Sequence, residues 1–320
     1  MAARTVLAVA NAVLTQAATA IGGNEASASV SQGAGGQGRP AGPVLWRVSI
    51  PPLAIPLTEG VPLVGTPVVM PGVVRAAASG SRVAIPVPAE RAPRMPAVPL
   101  PAVYAVPPGT GPFPAVVFLH GCNGAGGGWP AWGSRLIAWG YAVVAPDSNR
   151  PRGLETVCDP GDQPKITPFD RAGDVGAAAA WLRTRPEIDP NRIAVLGASH
   201  GGATAAVATT RPYAGYGLRA AVDYYGPCMD PSLRGRVPLL VLAGEADDWG
   251  EPAKWCRMYG AIPGREQYFE LHTYPGVFHA FDSVGLPKTS IMGHTLGYDR
   301  DAAEDSFVRV RTFLDRFVKQ

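Results

Sequence analysis

Arg192-Ile193-Ala194-Val195-Leu196-Gly197-Ala198-Ser199-His200-Gly201-Gly202-Ala203-Thr204-Ala205-Ala206-Val207-Ala208 decides how this chain is read. Ile193–Leu196 is a short apolar run with the length of a buried strand. The small residues after Gly201 are able to open a helix. Between them, Gly197-Ala198-Ser199-His200-Gly201 has the G-x-S-x-G spacing of a sharp strand-to-helix turn. A serine on such a turn has its hydroxyl lifted clear of the sheet. The N–H groups of a new helix lie beneath it, where negative charge on an oxygen is stabilised. Glycines flank the serine because a Cβ there would meet the neighbouring strand and helix. Taken alone, the pentapeptide also fits a glycine-rich turn with a solvated serine, since the chain holds 39 Gly in 320 residues. The surrounding pattern has to decide.

Working outward, short apolar runs alternate with alanine-rich helical stretches. Strands are expected at Ala115–Leu119, Ala142–Ala145, Ile193–Leu196, Ala220–Tyr224, Leu239–Ala243 and Tyr268–Tyr274. Helices are expected near Ala131–Trp139, Asp170–Thr184, His200–Thr210, Pro252–Tyr259 and Ala302–Val318. Most of the strands are continuous apolar runs, the signature of burial on both faces in a parallel sheet. Repeated strand–helix units with right-handed crossovers predict a mostly parallel, doubly wound sheet with helices on both faces. In such a sheet the site lies beyond the carboxyl ends of the strands.

That rule sorts the polar residues. Ser199 ends one strand. Gly244-Glu245-Ala246-Asp247-Asp248-Trp249 follows Leu239–Ala243, and Pro275-Gly276-Val277-Phe278-His279 follows Tyr274. The order Ser, Asp, His is that of the α/β-hydrolase fold. His120-Gly121-Cys122-Asn123-Gly124 follows the first parallel strand, where a second oxyanion donor belongs. The expected catalytic set is Ser199, Asp247 and His279. The backbone N–H groups of His200, with Gly121 or Cys122, are the expected oxyanion donors. Asp247 is preferred over Glu245 and Asp248 because it clears the strand end by a short turn, while Asp248 is read as capping the helix near Pro252. His200 is read as a backbone donor with an exposed side chain. His120 shapes its own loop, His272 lies in a strand, and His294 lies on the surface of a glycine-rich stretch. Trp132, Trp249 and Phe278 are candidate pocket walls, with Trp129, Trp255 and Tyr225 also near strand ends; each also fits plain packing.

Composition narrows the partners. The net charge is +3 with no Lys/Arg block, so nothing points to nucleic acid. Arg4, the apolar run Thr5–Leu14 and Ala18-Thr19-Ala20 have the pattern of a signal peptide over residues 1–20, with the mature chain beginning near Ile21. Export to the periplasm or beyond follows, with no stable membrane insertion after removal; a plain N-terminus on a cytoplasmic protein is the alternative. Residues 21–95 form a Pro/Gly-rich arm too apolar for a solvated linker, with leading strands near Ser81–Val87 and Ala102–Val106. Residues 96–320 form the catalytic domain. The four cysteines have no metal-ligand spacing. In an exported chain Cys228, after the strand Ala220–Tyr224, is expected to pair with Cys256, on the helix just after the acid loop, and Cys122 with Cys158, both after early neighbouring strands; in the cytosol four reduced thiols are the alternative.

Over residues 96–320 these pieces resemble the dienelactone hydrolase family. They are Gly111-Pro112-Phe113-Pro114 leading into His120-Gly121-Cys122-Asn123-Gly124, Pro146-Asp147-Ser148 with Arg152-Gly153, and Arg171 with Asp174. The elbow, the Gly244–Trp249 segment and Tyr274-Pro275-Gly276 with His279-Ala280-Phe281-Asp282 complete the set. The namesake enzymes carry a cysteine nucleophile where this chain has Ser199. The resemblance implies a carboxylic-ester hydrolase working through an acyl-enzyme on a small-molecule ester, with no metal or organic cofactor. A peptidase or amidase of the same fold, and a non-catalytic binding relative, are the alternatives.

Overall fold

The computed structural model describes residues 80–87, 98–126, 128–161, 165–228 and 235–320. The expected signal segment and nearly all of the proline-rich arm lie outside the described residues. Ten strands are β1 (Ser81–Ile85), β2 (Leu100–Ala105), β3 (Phe113–Leu119), β4 (Ala142–Pro146), β5 (Ile188–Ala198), β6 (Ala220–Tyr224), β7 (Leu239–Gly244), β8 (Phe269–Tyr274), β9 (Thr289–Ile291) and β10 (His294–Leu296). Among the described residues the α-helices are α1 (Trp129–Ala138), α2 (Pro168–Leu182), α3 (His200–Ala208), α4 (Pro252–Gly260) and α5 (Arg300–Val318).

Strands β1 to β8 form one sheet in the order β1-β2-β4-β3-β5-β6-β7-β8. The pairs β1–β2 and β2–β4 are antiparallel, and every pair from β4 across to β8 is parallel. The alternation of side chains along each strand feeds two cores. Val117, Val195, Ala221 and Val241 face α2, α3 and α4. Val116, Leu196, Val222 and Leu240 face α1 and α5. Both faces are covered, which is why β4, β6 and β7 are buried at every position. The sheet is therefore the mostly parallel, helix-covered sheet of an α/β-hydrolase.

Two local expectations need correcting. Strand β5 begins at Ile188, well before the expected Ile193, and includes Asp189-Pro190-Asn191-Arg192. That polar start carries no apolar signal; the register of β3 on β5 breaks between Phe113 and Ala115 to accommodate it. The glycine-rich stretch before α5 is a small antiparallel hairpin, β9–β10, with His294 paired to Ile291 and Leu296 to Thr289. Its turn places Met292 at φ 55° and Gly293 at φ 87°, the left-handed pair a tight two-residue hairpin demands. Among the described residues no helix is long and apolar enough to cross a membrane.

Candidate active site

The carboxyl edge of the sheet collects the polar residues. Ser199 sits between β5 and α3 at φ 57°, ψ −120°, outside the regions a residue with a side chain ordinarily adopts. Its N–H donates to the Tyr224 carbonyl at 2.8 Å, tying the turn to β6. The flanking glycines are sterically required. A Cβ on Gly197 would lie 2.0 Å from the Gly201 carbonyl oxygen, and one on Gly201 would lie 2.3 Å from that of Leu119.

His279 and Asp247 arrive from the two adjoining strand ends. His279 Nε2 lies 3.0 Å from Ser199 Oγ, and His279 Nδ1 lies 2.8 Å from Asp247 Oδ2. Both side chains are buried. The carboxylate is held on its other oxygen by the Trp249 N–H at 2.9 Å. With Asp247 accepting, Nδ1 carries the ring proton, and Nε2 is left to accept from the serine hydroxyl. The two loops approach so closely that a Cβ on Gly244 would lie 2.1 Å from the Val277 carbonyl oxygen. Gly297 N–H donates to the His279 carbonyl at 3.1 Å, so the β9–β10 hairpin steadies the histidine loop.

The loop after β3 is held by different means. A Cβ on Gly121 would stand 3.6 Å from Ser199 Cβ, so this backbone lies directly against the serine. Cys122 is bridged to Cys158, with Cα atoms 4.8 Å apart. The Cys122 carbonyl accepts from the Val157 N–H at 2.9 Å and from Asn149 Nδ2 at 3.3 Å. Beneath it, the fully buried Arg171 donates from Nη2 to the His120 carbonyl and from Nη1 to His200 Nδ1, both at 2.8 Å. Arg152 pairs bidentately with buried Asp174 and donates to the Ser148 carbonyl. Burial, with the Arg171 cation beside it, pushes the His200 imidazole down to about 3. His120 is also lowered well below its ordinary value by burial and Arg171. Its Nδ1–H donates to the Gly121 carbonyl, and its Nε2 accepts from the Ser148 N–H.

Several expectations change here. The His200 side chain turns inward onto Arg171 rather than out to solvent; a guanidinium brought from α2 offers it a partner that no local spacing reveals. Asp248 does not cap α4. Its Oδ1 accepts from the Thr295 N–H, and the residue at the cap position is Glu251, without a side-chain cap bond. His294 is half-buried on β10 and stacks on Trp249 with ring centroids 5.0 Å apart. Phe278 is half-buried against the Lys288 ammonium, 4.1 Å from its ring centroid, and is not among the residues lining either cavity beside Ser199, whereas its neighbour His279 lines the smaller one. Trp255 is 42% exposed on α4.

Two cavities open on Ser199. One, of about 190 Å³, is walled by residues including Trp132, Tyr225, Trp249 and His279; the other, of about 350 Å³, by residues including Thr167, Phe169, His200 and Pro227. Asp282 was not singled out as a wall residue by the sequence. It accepts from Tyr225 Oη at 2.6 Å and Trp132 Nε1 at 2.8 Å, fixing both rings against the smaller cavity. Its only sequence signal is its place three residues after His279. The second disulfide joins Cys228 to Cys256, with Cα atoms 4.9 Å apart, and ties β6's exit to α4. Asp223 lies near these sulfurs, but bridged cysteines have no thiolate to offer a metal.

Among curated proteins none matches the chain. Solved structures of the same fold include a dienelactone hydrolase assignment from Klebsiella pneumoniae subsp. pneumoniae, 21% identical, covering 74% of this chain and 98% of that one with a TM-score of 0.58. A dienelactone hydrolase-like promiscuous phosphotriesterase from metagenomic libraries is 20% identical, over 76% of this chain and 99% of that one, with a TM-score of 0.56. Thermogutta terrifontis esterase 2, phosphonylated by sarin, is 15% identical over 77% and 98%, with a TM-score of 0.55. At these identities the likeness is one of fold. The sequence model of the dienelactone hydrolase family matches residues 100–318, from β2 to the end of α5. With the elbow, the acid loop and the histidine loop all inside that span, the chain belongs to the dienelactone hydrolase family.

Proposed function

We propose that this protein is a serine esterase, cleaving uncomplicated carboxylic esters through an acyl-enzyme on Ser199. The observation that carries the reading is the unbroken hydrogen-bonded series from Ser199 Oγ through His279 to Asp247, ending on a cavity. Neutral His279 takes the serine proton at Nε2 as Oγ attacks the ester carbonyl. Asp247 holds the ring in the useful tautomer and stabilises the imidazolium. The backbone N–H groups of His200 and of Cys122 or Gly121 receive the oxyanion; one such donor is typically worth about 2.7–4 kcal/mol. His279 then returns the proton to the departing alkoxide. Water repeats the sequence on the acyl-enzyme and releases the acid. No step calls for a metal or an organic cofactor.

The test is a panel of a short p-nitrophenyl ester against a matched peptide amide, with fluorophosphonate labelling. Ester turnover with label on Ser199 is expected. Amide cleavage at a comparable rate would favour a peptidase, and labelling without turnover of either would favour a binding relative. The two disulfides favour an oxidising compartment and support export; fractionation of the native host should place the protein outside the cytoplasm.

A further inference from the structure

Ser199 stands between two cavities, and only the smaller one contains His279. Resting on the esterase reading, we propose that the smaller cavity receives the alcohol and the larger one the acyl group, so that the enzyme takes uncharged esters whose acyl part is bulkier than their alcohol.

The argument starts from the tetrahedral intermediate. Its carbon carries four substituents: Ser199 Oγ, the oxyanion, the leaving alkoxide and the acyl chain. Oγ is fixed by the elbow. The oxyanion takes the backbone N–H groups after β3 and at the start of α3. The alkoxide oxygen must come within reach of His279 Nε2, because that atom holds the proton it needs to depart. The Oγ–C bond forms, the C–OR bond breaks, and the proton passes from Oγ through Nε2 to the alkoxide, which leaves as the alcohol. The alcohol therefore occupies the side of Ser199 on which His279 lies, the cavity of about 190 Å³. The acyl chain takes the remaining direction, past His200 toward Phe169 and Pro227, where about 350 Å³ is open. Trp249 lines both and forms the divide. It is held in place by stacking on His294 and by packing 5.2 Å from the His279 ring. Among the described residues that line the two cavities there is no Lys or Arg to receive a substrate carboxylate, and the Asp282 carboxylate stands in the wall of the smaller one.

Phe169 and Ile291 give one handle on each side. Phe169 lines the larger cavity and is 37% exposed; Ile291 lines the smaller one and is 44% exposed, so neither substitution empties the core. The experiment compares wild type, Phe169→Ala, Phe169→Trp, Ile291→Ala and Ile291→Trp on two series. One is p-nitrophenyl esters of lengthening acyl chain. The other is alkyl acetates of lengthening alcohol. Phe169 variants should move the acyl-length optimum in opposite directions and change kcat/KM for long acyl chains at least fivefold, leaving the alcohol series within twofold. Ile291 variants should do the reverse. Stopped-flow bursts supply the sharpest readout, because the acyl-enzyme has already lost its alcohol: deacylation should respond to Phe169 variants and stay within twofold in Ile291 variants. A p-nitrophenyl ester of a monoanionic diacid should react at least tenfold more slowly than the uncharged ester of equal length. Swapped dependence, equal response of both series, or equal rates for charged and uncharged acyl groups would overturn the partition while leaving the esterase reading intact. An absence of ester turnover and of any burst in the wild type would overturn both.

Discussion

The two backbone segments that meet at Ser199 are held in opposite ways. The elbow after β5 is held by close packing, with no room for a side chain at Gly197 or Gly201 and one backbone hydrogen bond from Ser199 to the Tyr224 carbonyl. The loop after β3 is fixed by attachment. It depends on the Cys122–Cys158 bridge, on Arg171 grasping the His120 carbonyl, and on hydrogen bonds to the Cys122 carbonyl from residues 27 and 34 positions away in the chain. On the proposed reading, Ser199 as nucleophile needs rigidity at one residue, which the packed glycines supply. The proposed oxyanion donor after β3 needs a backbone amide aimed from a neighbouring strand, and long-range contacts aim it.

The largest break falls on the elbow. Ser199→Ala should lower kcat by more than about 10⁴-fold, since members of such a set act as a unit. Its unfolding free energy should stay within about 0.5 kcal/mol of wild type, because the glycines and backbone remain. His279→Ala should be nearly as severe, Asp247→Asn less so, and Asp248→Asn close to silent. Steady-state kinetics beside urea denaturation checks all four, and an inactive Asp248→Asn with an active Asp247→Asn would reverse the acid assignment.

The loop breaks next. Each disulfide closes a segment with ends 36 or 28 residues apart, and removing either as a double Cys→Ser variant should cost about 3–4 kcal/mol in denaturant unfolding. Only loss of Cys122–Cys158 should also cut kcat, by about 10- to 100-fold, less than outright removal of a donor would. Equal kcat in the two variants would show that attachment does not aim the loop.

Smaller in energy is Gly197→Ala, which adds one carbon where the Gly201 carbonyl already stands. A cost of about 1–3 kcal/mol is expected from the overpacking, with a loss of kcat out of proportion to it because the displaced atoms carry Ser199. Thermal melts read with kinetics would separate the two effects.

The gentlest probe is pH. His200 is held neutral in the folded chain, with its proton affinity lowered to about 3, whereas an unfolded histidine titrates near about 6.5. Between those values the unfolded state binds more protons, so His200's contribution is full above about pH 7 and is lost as pH falls through that range to about 3. His200→Gln should flatten that acid limb in urea titrations by about one proton's slope, while an unchanged slope would show that the imidazole does not titrate against Arg171.

Legibility in the sequence follows the same division. The meeting of Ser199, Asp247 and His279 was readable because each follows an apolar strand by a short turn, and the fold places all strand ends on one edge. Both cysteine pairs were readable for the same reason. The inward turn of His200 was not, since its partner lies on another helix 29 residues earlier. The only trace of that network was an Arg171 and Asp174 pair in an otherwise alanine-rich helix. Asp282 was missed as a wall residue because its partners, Trp132 and Tyr225, come from distant elements. Phe278 was misplaced because strand-end proximity does not say which way a loop residue faces.

Local chemistry in the chain determined the parallel sheet, its order of loops, the elbow and the three residues that meet there. Strand periodicity and the G-x-S-x-G spacing act over a few residues and survive in any linear reading. Tertiary structure alone decided how the loop after β3 is aimed, which aromatic rings wall the site, and that Ser199 faces two cavities of unequal size. Those properties belong to gaps between elements, and a gap has no residues of its own to be read.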